Sequence, residues 1–164
     1  MAERTDAPTQ TAERELVITR LFDAPPELVW KAWTERGLVL KWLGPKDFTA
    51  EDFSLDPRPG GAWHSRMRSP DGREYSNRGV VREAVEPERL VFTFAWDNED
   101  GSPGREMLIT ITFADRDGAT EMTFAQAVFE SAEDRDGHRE GWSESFDKLA
   151  AYLGADESES REAR

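Results

Sequence analysis

The sequence contains no cysteine, and this absence excludes several kinds of chemistry. Without Cys in its 164 residues, the chain has no disulfide bonds, thiolate metal sites or cysteine nucleophiles. The first fifteen residues lack the apolar core of a signal peptide, and no apolar run approaches the roughly 20 residues of a membrane span. We therefore expect a cytoplasmic protein with no membrane association.

Positive charge is also scarce. The chain has 21 Lys and Arg against 34 Asp and Glu, which gives a formal net charge of −13. A surface of this sign repels phosphate backbones and anionic lipids, and no dense run of Lys and Arg offsets it. We expect neither nucleic acid nor a membrane surface as a partner.

The length predicts one domain, since a chain of this size buries roughly 70% of its unfolded surface. Residues 1–14 and 154–164 are polar and lack periodicity, so we expect disordered tails around a domain at 15–153.

Hydrophobic alternation with period two predicts most of the secondary structure. Trp63, Ser65 and Met67 share one face of their strand, and His64 lies on the opposite face. Gly79 interrupts a strand, which indicates a bulge or a close approach by another element. The predicted strands lie at 16–22, 48–55, 63–68, 75–86, 90–96, 107–113 and 120–129, and two short helices at 28–33 and 38–43.

The last periodic segment, His138–Leu153, predicts a long amphipathic helix. Trp142, Phe146, Leu149 and Leu153 recur at steps of four, three and four, so they form one stripe. Gly137 precedes the pattern, and we expect the helix to begin near His138. The order β-α-α-β6-α predicts an α+β fold in which a curved antiparallel sheet of about seven strands wraps around this helix.

Several motifs carry a resemblance to a known family. They are Asp56-Pro-Arg-Pro-Gly-Gly-Ala-Trp63, Met67, Ser69-Pro-Asp-Gly72, Glu86-Pro-Glu-Arg-Leu-Val-Phe-Thr-Phe94, Gly141-Trp142, Leu149 and Tyr152-Leu153. Over residues 15–153 the chain resembles proteins related to the activator of Hsp90 ATPase, within the START-like superfamily, which is also called Bet v 1-like or SRPBCC. The resemblance implies a helix-grip fold with a deep, mostly apolar cavity between sheet and C-terminal helix.

The resemblance implies several different activities, because fold alone does not fix function. Similar proteins include co-chaperone domains that stimulate the Hsp90 ATPase in the stress response, and self-resistance proteins against enediyne antibiotics. The eukaryotic co-chaperone has a separate N-terminal domain that binds Hsp90, which we do not expect in a chain of this length.

Aromatic residues are the main candidates for a binding site. Six Trp, nine Phe and four Met supply the apolar surface that lines ligand pockets, although about two thirds of them are expected to be ordinary core. Ser65 and Asn77 share strand faces with aromatic residues and are candidates to orient a ligand, although buried polar groups of this kind are satisfied by backbone or water about three times as often as they are used for recognition. The predicted ligand-binding residues are Trp42, Trp63, Ser65, Met67, Tyr75, Asn77, Phe94, Trp96, Ile109, Trp142 and Phe146.

The sequence gives little support for catalysis. The two His, at 64 and 138, belong to no metal-binding spacing, and there is no nucleophile elbow, phosphate loop or dinucleotide fingerprint. We expect no catalytic residue, metal or cofactor. The leading hypothesis is a non-enzymatic protein, a monomer or weak homodimer, that binds a hydrophobic or aromatic small molecule. The alternatives are an Hsp90 co-chaperone-like or other partner-binding module and, more weakly, a cyclase- or hydrolase-type enzyme.

Overall fold

The computed structural model describes the backbone of residues 14–162 and the side chains of residues 14–153. Strands and helices follow the predicted order. Their bounds are β1 Leu16–Phe22, α1 Pro26–Thr34, α2 Arg36–Val39, β2 Thr49–Leu55, β3 Ala62–Arg68, β4 Glu74–Val85, β5 Arg89–Trp96, β6 Met107–Arg116, β7 Ala119–Ala127 and α3 Ala132–Glu162. Of the tail predicted at 1–14, only Arg14 is described, so its disorder stays a prediction. The backbone of residues 154–162 continues α3 past the predicted helix end at Leu153.

The seven strands form one antiparallel sheet in the order β1-β7-β6-β5-β4-β3-β2. Register shifts at Ala50/Asp52 in β2 and Val81/Glu83 in β4 bend these strands and increase their twist. The sheet curls into a half-barrel, and α3 lies across its concave face. The predicted α+β helix-grip architecture is therefore confirmed.

Helix α3 starts six residues earlier than the apolar stripe indicates. Its first turn is capped by Ser131, whose Oγ accepts a hydrogen bond from the backbone N–H of Asp134 at 3.0 Å. The expected start near His138 was wrong, and both Gly137 and Gly141 lie inside the helix. Each interior Gly lowers helix stability by only about 1 kcal/mol relative to Ala. The serine cap and the packing of the apolar stripe offset this cost.

The core is centred on Trp33 of α1, which is 4% exposed. Its ring lies 4.8 Å from the ring of Trp42 and 6.0 Å from that of Phe146. Its indole N–H points to the sulfur of Met122 at 3.4 Å. Helix α1 thus fills one end of the half-barrel with aromatic rings, and the space that stays open lies at the other end.

A side chain crosses the sheet at Gly79, where the sequence indicates a bulge or a close approach. Trp63 of β3 reaches over Gly79 of β4 and donates its indole N–H to the Thr93 carbonyl of β5 at 2.7 Å. The Thr93 hydroxyl accepts the backbone N–H of Val80 at 2.8 Å. Side chains thus replace backbone pairing here, and the close approach predicted at Gly79 is confirmed.

Candidate functional site

A cleft of about 1120 Å³ opens between the sheet and the N-terminal half of α3. It is slightly larger than the usual range for small-molecule sites, about 300–1,000 Å³. Its walls come from β3, β4, β5, the first half of α3, the segment after α2 and the loop after β5. The cleft therefore lies in the position that a helix-grip cavity occupies.

One wall of the cleft is a continuous row of aromatic rings. Phe48 and Tyr75 have ring centroids 5.7 Å apart, Tyr75 and Trp96 6.4 Å, and Phe94 and Trp96 5.3 Å. Trp142 of α3 continues the row, 6.4 Å from Phe94. Such rings present flat, polarisable surfaces that favour stacked or edge-on contacts with another aromatic group.

The inner end of the cleft is polar but uncharged. Ser65 and Asn77, on β3 and β4, are directly paired in the sheet register and are 1% and 6% exposed. The hydroxyl of Ser65 donates a hydrogen bond to Oδ1 of Asn77. Behind this pair lies a separate void of about 30 Å³, which has room for about one water molecule.

His138 ties the helix to the aromatic wall. Its Nε2 accepts the indole N–H of Trp96 at 2.9 Å, and its Nδ1 lies 3.0 Å from the backbone oxygen of Asp134. Because Nε2 is an acceptor, the proton of the neutral ring is on Nδ1 and is donated to that oxygen. Both ring nitrogens are thus engaged within the protein.

The segment after α2 forms one lip of the cleft and is fastened to α3. Ser145 accepts the backbone N–H of Gly44 and donates to the Gly141 carbonyl, both at 3.1 Å. Lys148 donates from Nζ to the carbonyls of Pro45 and Phe48, each at 3.3 Å. Burial lowers the pKa of Lys148 below its usual value, although Asp47 and Glu144 act in the opposite direction.

The mouth of the cleft is mainly acidic. Arg73 is the one Lys or Arg among the described residues that line it, and it pairs with Glu99 at 3.2 Å. Asp97 pairs with Arg78 from outside the cleft at 2.8 Å. The acidic residues that line the mouth are Glu74, Asp97, Glu99, Glu133 and Asp134.

The structure brings together seven of the eleven residues predicted to bind ligand. The seven that line the cleft are Ser65, Met67, Tyr75, Asn77, Phe94, Trp96 and Trp142. Trp42 and Trp63 border only the small void. Ile109 and Phe146, both fully buried, line neither space. That the seven bind a ligand stays a prediction.

Phe146 and Trp63 lie away from the cleft for identifiable reasons. Phe146 faces the interior of the half-barrel, where the rings of Trp33, Phe124 and Trp142 surround it. The Trp63 ring is drawn across the sheet by its bond to Thr93. Both side chains point inward as the alternation predicts, but toward packed core.

Residues that sequence reasoning left out of the site include His138, Gly137 and Gly141, which line the cleft from α3. His138 precedes Trp142 by four positions, the spacing that places two residues on one helix face. That spacing, together with the two glycines on the same stretch, was the signal available in the sequence.

A second polar group lies on the outer face of the sheet. His64 is hydrogen-bonded to Ser54 through Nδ1 at 2.9 Å and to Asp52 through Nε2 at 3.1 Å. The hydrogen bond from His64, aided by one from Arg36, lowers the pKa of Asp52 below its usual value. None of these residues borders the cleft. The contacts resemble a Ser-His-Asp set, but Ser54 and His64 are exposed and the group lies outside the cleft, whereas a catalytic triad acts within a concave site.

The part of the chain that the structure describes contains neither a cluster of metal ligands nor a membrane-spanning helix. No three His, Asp or Glu side chains there converge closely enough to hold a metal ion. Every helix in the described residues is too short or too polar to cross a lipid bilayer.

Comparison with known proteins places the chain among relatives of similar size. A protein from Nitrosomonas europaea has a TM-score of 0.75 and 27% identity, with 90% of this chain and 98% of that chain covered. The AHSA1 protein from Silicibacter pomeroyi has a TM-score of 0.79 and 27% identity, with 87% and 99% covered. No curated protein matches the chain.

A family model agrees with the structural likeness. The model for Activator of Hsp90 ATPase homolog 1-like protein matches residues 23–154, which include every wall of the cleft. This match confirms the resemblance seen in the sequence. The chain belongs to the Activator of Hsp90 ATPase homolog 1-like family and has the helix-grip fold of the START-like superfamily.

Proposed function

We propose that the protein binds an aromatic or otherwise hydrophobic small molecule in the cleft between the sheet and α3. The observation that carries this proposal is the row of rings from Phe48 to Trp142 along a space of about 1120 Å³. Rings on a protein surface leave apolar area in water, and covering it with a ligand is favourable by about 25 cal/mol per Å² before the costs of binding.

Binding without turnover is the activity that fits His138 and the polar groups at the inner end of the cleft. His138 is the one imidazole that lines it, and both of its nitrogens are engaged by Trp96 and Asp134. A general base needs a free lone pair within reach of substrate. Asn77 and Ser65 supply hydrogen bonds but carry no charge that titrates near neutral pH.

A role in binding a protein partner rests on the family relationship and on the net charge of the chain. The family is named after an activator of the Hsp90 ATPase, and the net charge of −13 favours association with a basic surface. Neither observation involves the cleft, so ligand binding is the function that the geometry supports best.

The Gly137→Phe variant is expected to weaken ligand binding while the fold is kept. A Cβ built at Gly137 meets no heavy atom within 4 Å, so the new ring enters the cleft without displacing core residues. The probe is 6-propionyl-2-dimethylaminonaphthalene, an uncharged aromatic ketone whose fluorescence changes when it leaves water. We expect its Kd to rise at least about tenfold, which corresponds to 1.4 kcal/mol.

The matched control is Glu140→Phe, which adds the same ring to an exposed position of α3 outside the cleft lining. This variant is expected to bind the probe as the wild type does. Thermal unfolding checks that both variants fold, and loss of the interior glycine is expected to leave Gly137→Phe at least as stable as the wild type. Equal probe affinity in Gly137→Phe and the wild type would contradict binding in the cleft.

A further inference from the structure

Asn77 has an unused hydrogen-bonding capacity at the inner end of the cleft. Its Oδ1 accepts the hydroxyl of Ser65, which leaves the two N–H donors of its amide. Neither donor has a hydrogen-bond partner among the described residues, and the amide nitrogen is not among their fully buried unpaired atoms, so it is accessible from the cleft that Asn77 lines. A ligand that covers this donor without accepting from it leaves the donor unpaired, which costs about 1–3 kcal/mol. A ligand group that accepts from it therefore gains specificity as well as affinity.

Ser65 fixes the direction of that donor. Ser65 is 1% exposed and lies opposite Asn77 in the β3–β4 register. Because its hydroxyl holds the amide oxygen, the amide nitrogen is the group left for the cleft. This preorganisation reduces the entropy lost when a ligand binds.

The surroundings of Asn77 determine which acceptor fits. The cleft-lining residues that also border the void behind it are Leu43, Ser65, Asn77, Phe94 and Trp142, and none of them is charged. A carboxylate or sulfonate at this depth would be buried without a cation, which is unfavourable. An anionic ligand would also pass an acidic mouth in which Arg73 is already paired with Glu99.

We infer that the ligand is an aromatic molecule with an uncharged carbonyl at its buried end, and that Asn77 donates a hydrogen bond to this oxygen. The inference rests on the proposed function, because it specifies the ligand class of the same cleft. The aromatic body lies along the row from Phe94 to Phe48, and the end of the molecule at the mouth is neutral or cationic.

The test compares three naphthalene probes in the wild type and in Asn77→Leu. They are the propionyl ketone used above, 2-dimethylaminonaphthalene, which lacks the carbonyl, and 6-dimethylamino-2-naphthoate, which replaces the ketone by a carboxylate. Leucine has nearly the shape of asparagine but no donor. We expect Asn77→Leu to raise the Kd of the ketone about fivefold and to shift the fluorescence emission of the bound ketone to shorter wavelength. The affinity for 2-dimethylaminonaphthalene is expected to change less than twofold.

The naphthoate is expected to bind the wild type at least about tenfold more weakly than the ketone. Ser65→Ala provides a second variant should Asn77→Leu fail to fold. It is expected to lower the affinity for the ketone by a smaller factor than Asn77→Leu, and to leave the affinity for 2-dimethylaminonaphthalene unchanged. Equal losses for ketone and 2-dimethylaminonaphthalene, or a naphthoate that binds as tightly as the ketone, would overturn the inference and leave the proposed function standing. Failure of all three probes to bind the wild type would overturn both.

Discussion

Replacing Gly79 with alanine is expected to lower the free energy of unfolding by about 3 kcal/mol or more, because overpacking and a lost buried hydrogen bond act together. A Cβ at this position would lie 1.9 Å from the Thr93 oxygen and 2.6 Å from Nε1 of Trp63. These two atoms form the hydrogen bond that crosses β4. Both belong to buried groups, so the backbone of β4 or β5 has to move, and the bond is strained or lost.

Gly37→Ala is the matched control for this substitution. A Cβ at Gly37, in helix α2, meets nothing within 4 Å, so alanine is expected to leave stability unchanged or raise it by up to about 1 kcal/mol. Urea unfolding of both variants measures the difference. If Gly79→Ala is as stable as Gly37→Ala, the crossing of β4 by Trp63 does not constrain the sheet as described.

Phe146→Ala is expected to lower the free energy of unfolding by about 3–5 kcal/mol, the range for a fully buried Phe. Its ring is 0% exposed and lies 5.4 Å from that of Phe124 and 5.7 Å from that of Trp142. The deletion leaves a void where α3 joins the sheet. For a chain of this size, the melting temperature is expected to fall by about 6–20 °C.

Leu21→Ala is the control for the loss of a large apolar side chain. Leu21 is 67% exposed on β1, so its truncation is expected to cost less than about 1 kcal/mol. Thermal unfolding followed by circular dichroism compares the two variants. A loss of under 1 kcal/mol in Phe146→Ala would show that the aromatic cluster around α1 and α3 is not the core of the domain.

Strand faces were predictable from sequence because alternation is a local property. Trp63, Ser65 and Met67 are all buried, and His64 between them is exposed, as the alternation predicts. The bounds of β1 agree residue for residue. Because each strand has one buried and one exposed face, the alternation determines which of its residues point inward. The apolar stripe of α3 indicates the surface against which the inward face packs.

The division of inward-facing residues between core and cleft was not predictable in the same way. Phe94 and Ile109 both point to the concave side and are almost completely buried, but Phe94 borders the cleft and Ile109 borders neither the cleft nor the small void. Which of them borders the cleft depends on where α3 crosses the sheet and on how far Trp33 and Trp42 fill the interior. These contacts join residues far apart in sequence, so the periodicity within a single strand or helix does not predict them.

The start of α3 was mispredicted because the low helix propensity of a glycine was given more weight than tertiary contacts of the same segment. Gly137 suggested a boundary, yet the helix continues through it from Ala132. The earlier turn carries Asp134, whose carbonyl holds the ring of His138 against Trp96. The first turn of α3 therefore contributes to the cleft through a contact between His138 and β5. The sequence pattern of α3 alone gives no sign of that contact.

The most direct test of ligand binding in the cleft is the set of indole N–H signals in a ¹⁵N–¹H spectrum recorded with and without the naphthyl ketone. The chain has six Trp, and among the described residues Trp96 and Trp142 are the two that line the cleft. Saturation with the probe is expected to shift the signals of these two and to leave those of Trp30 and Trp42 in place. Unchanged signals for Trp96 and Trp142, or shifts confined to the other indoles, would contradict binding in the cleft.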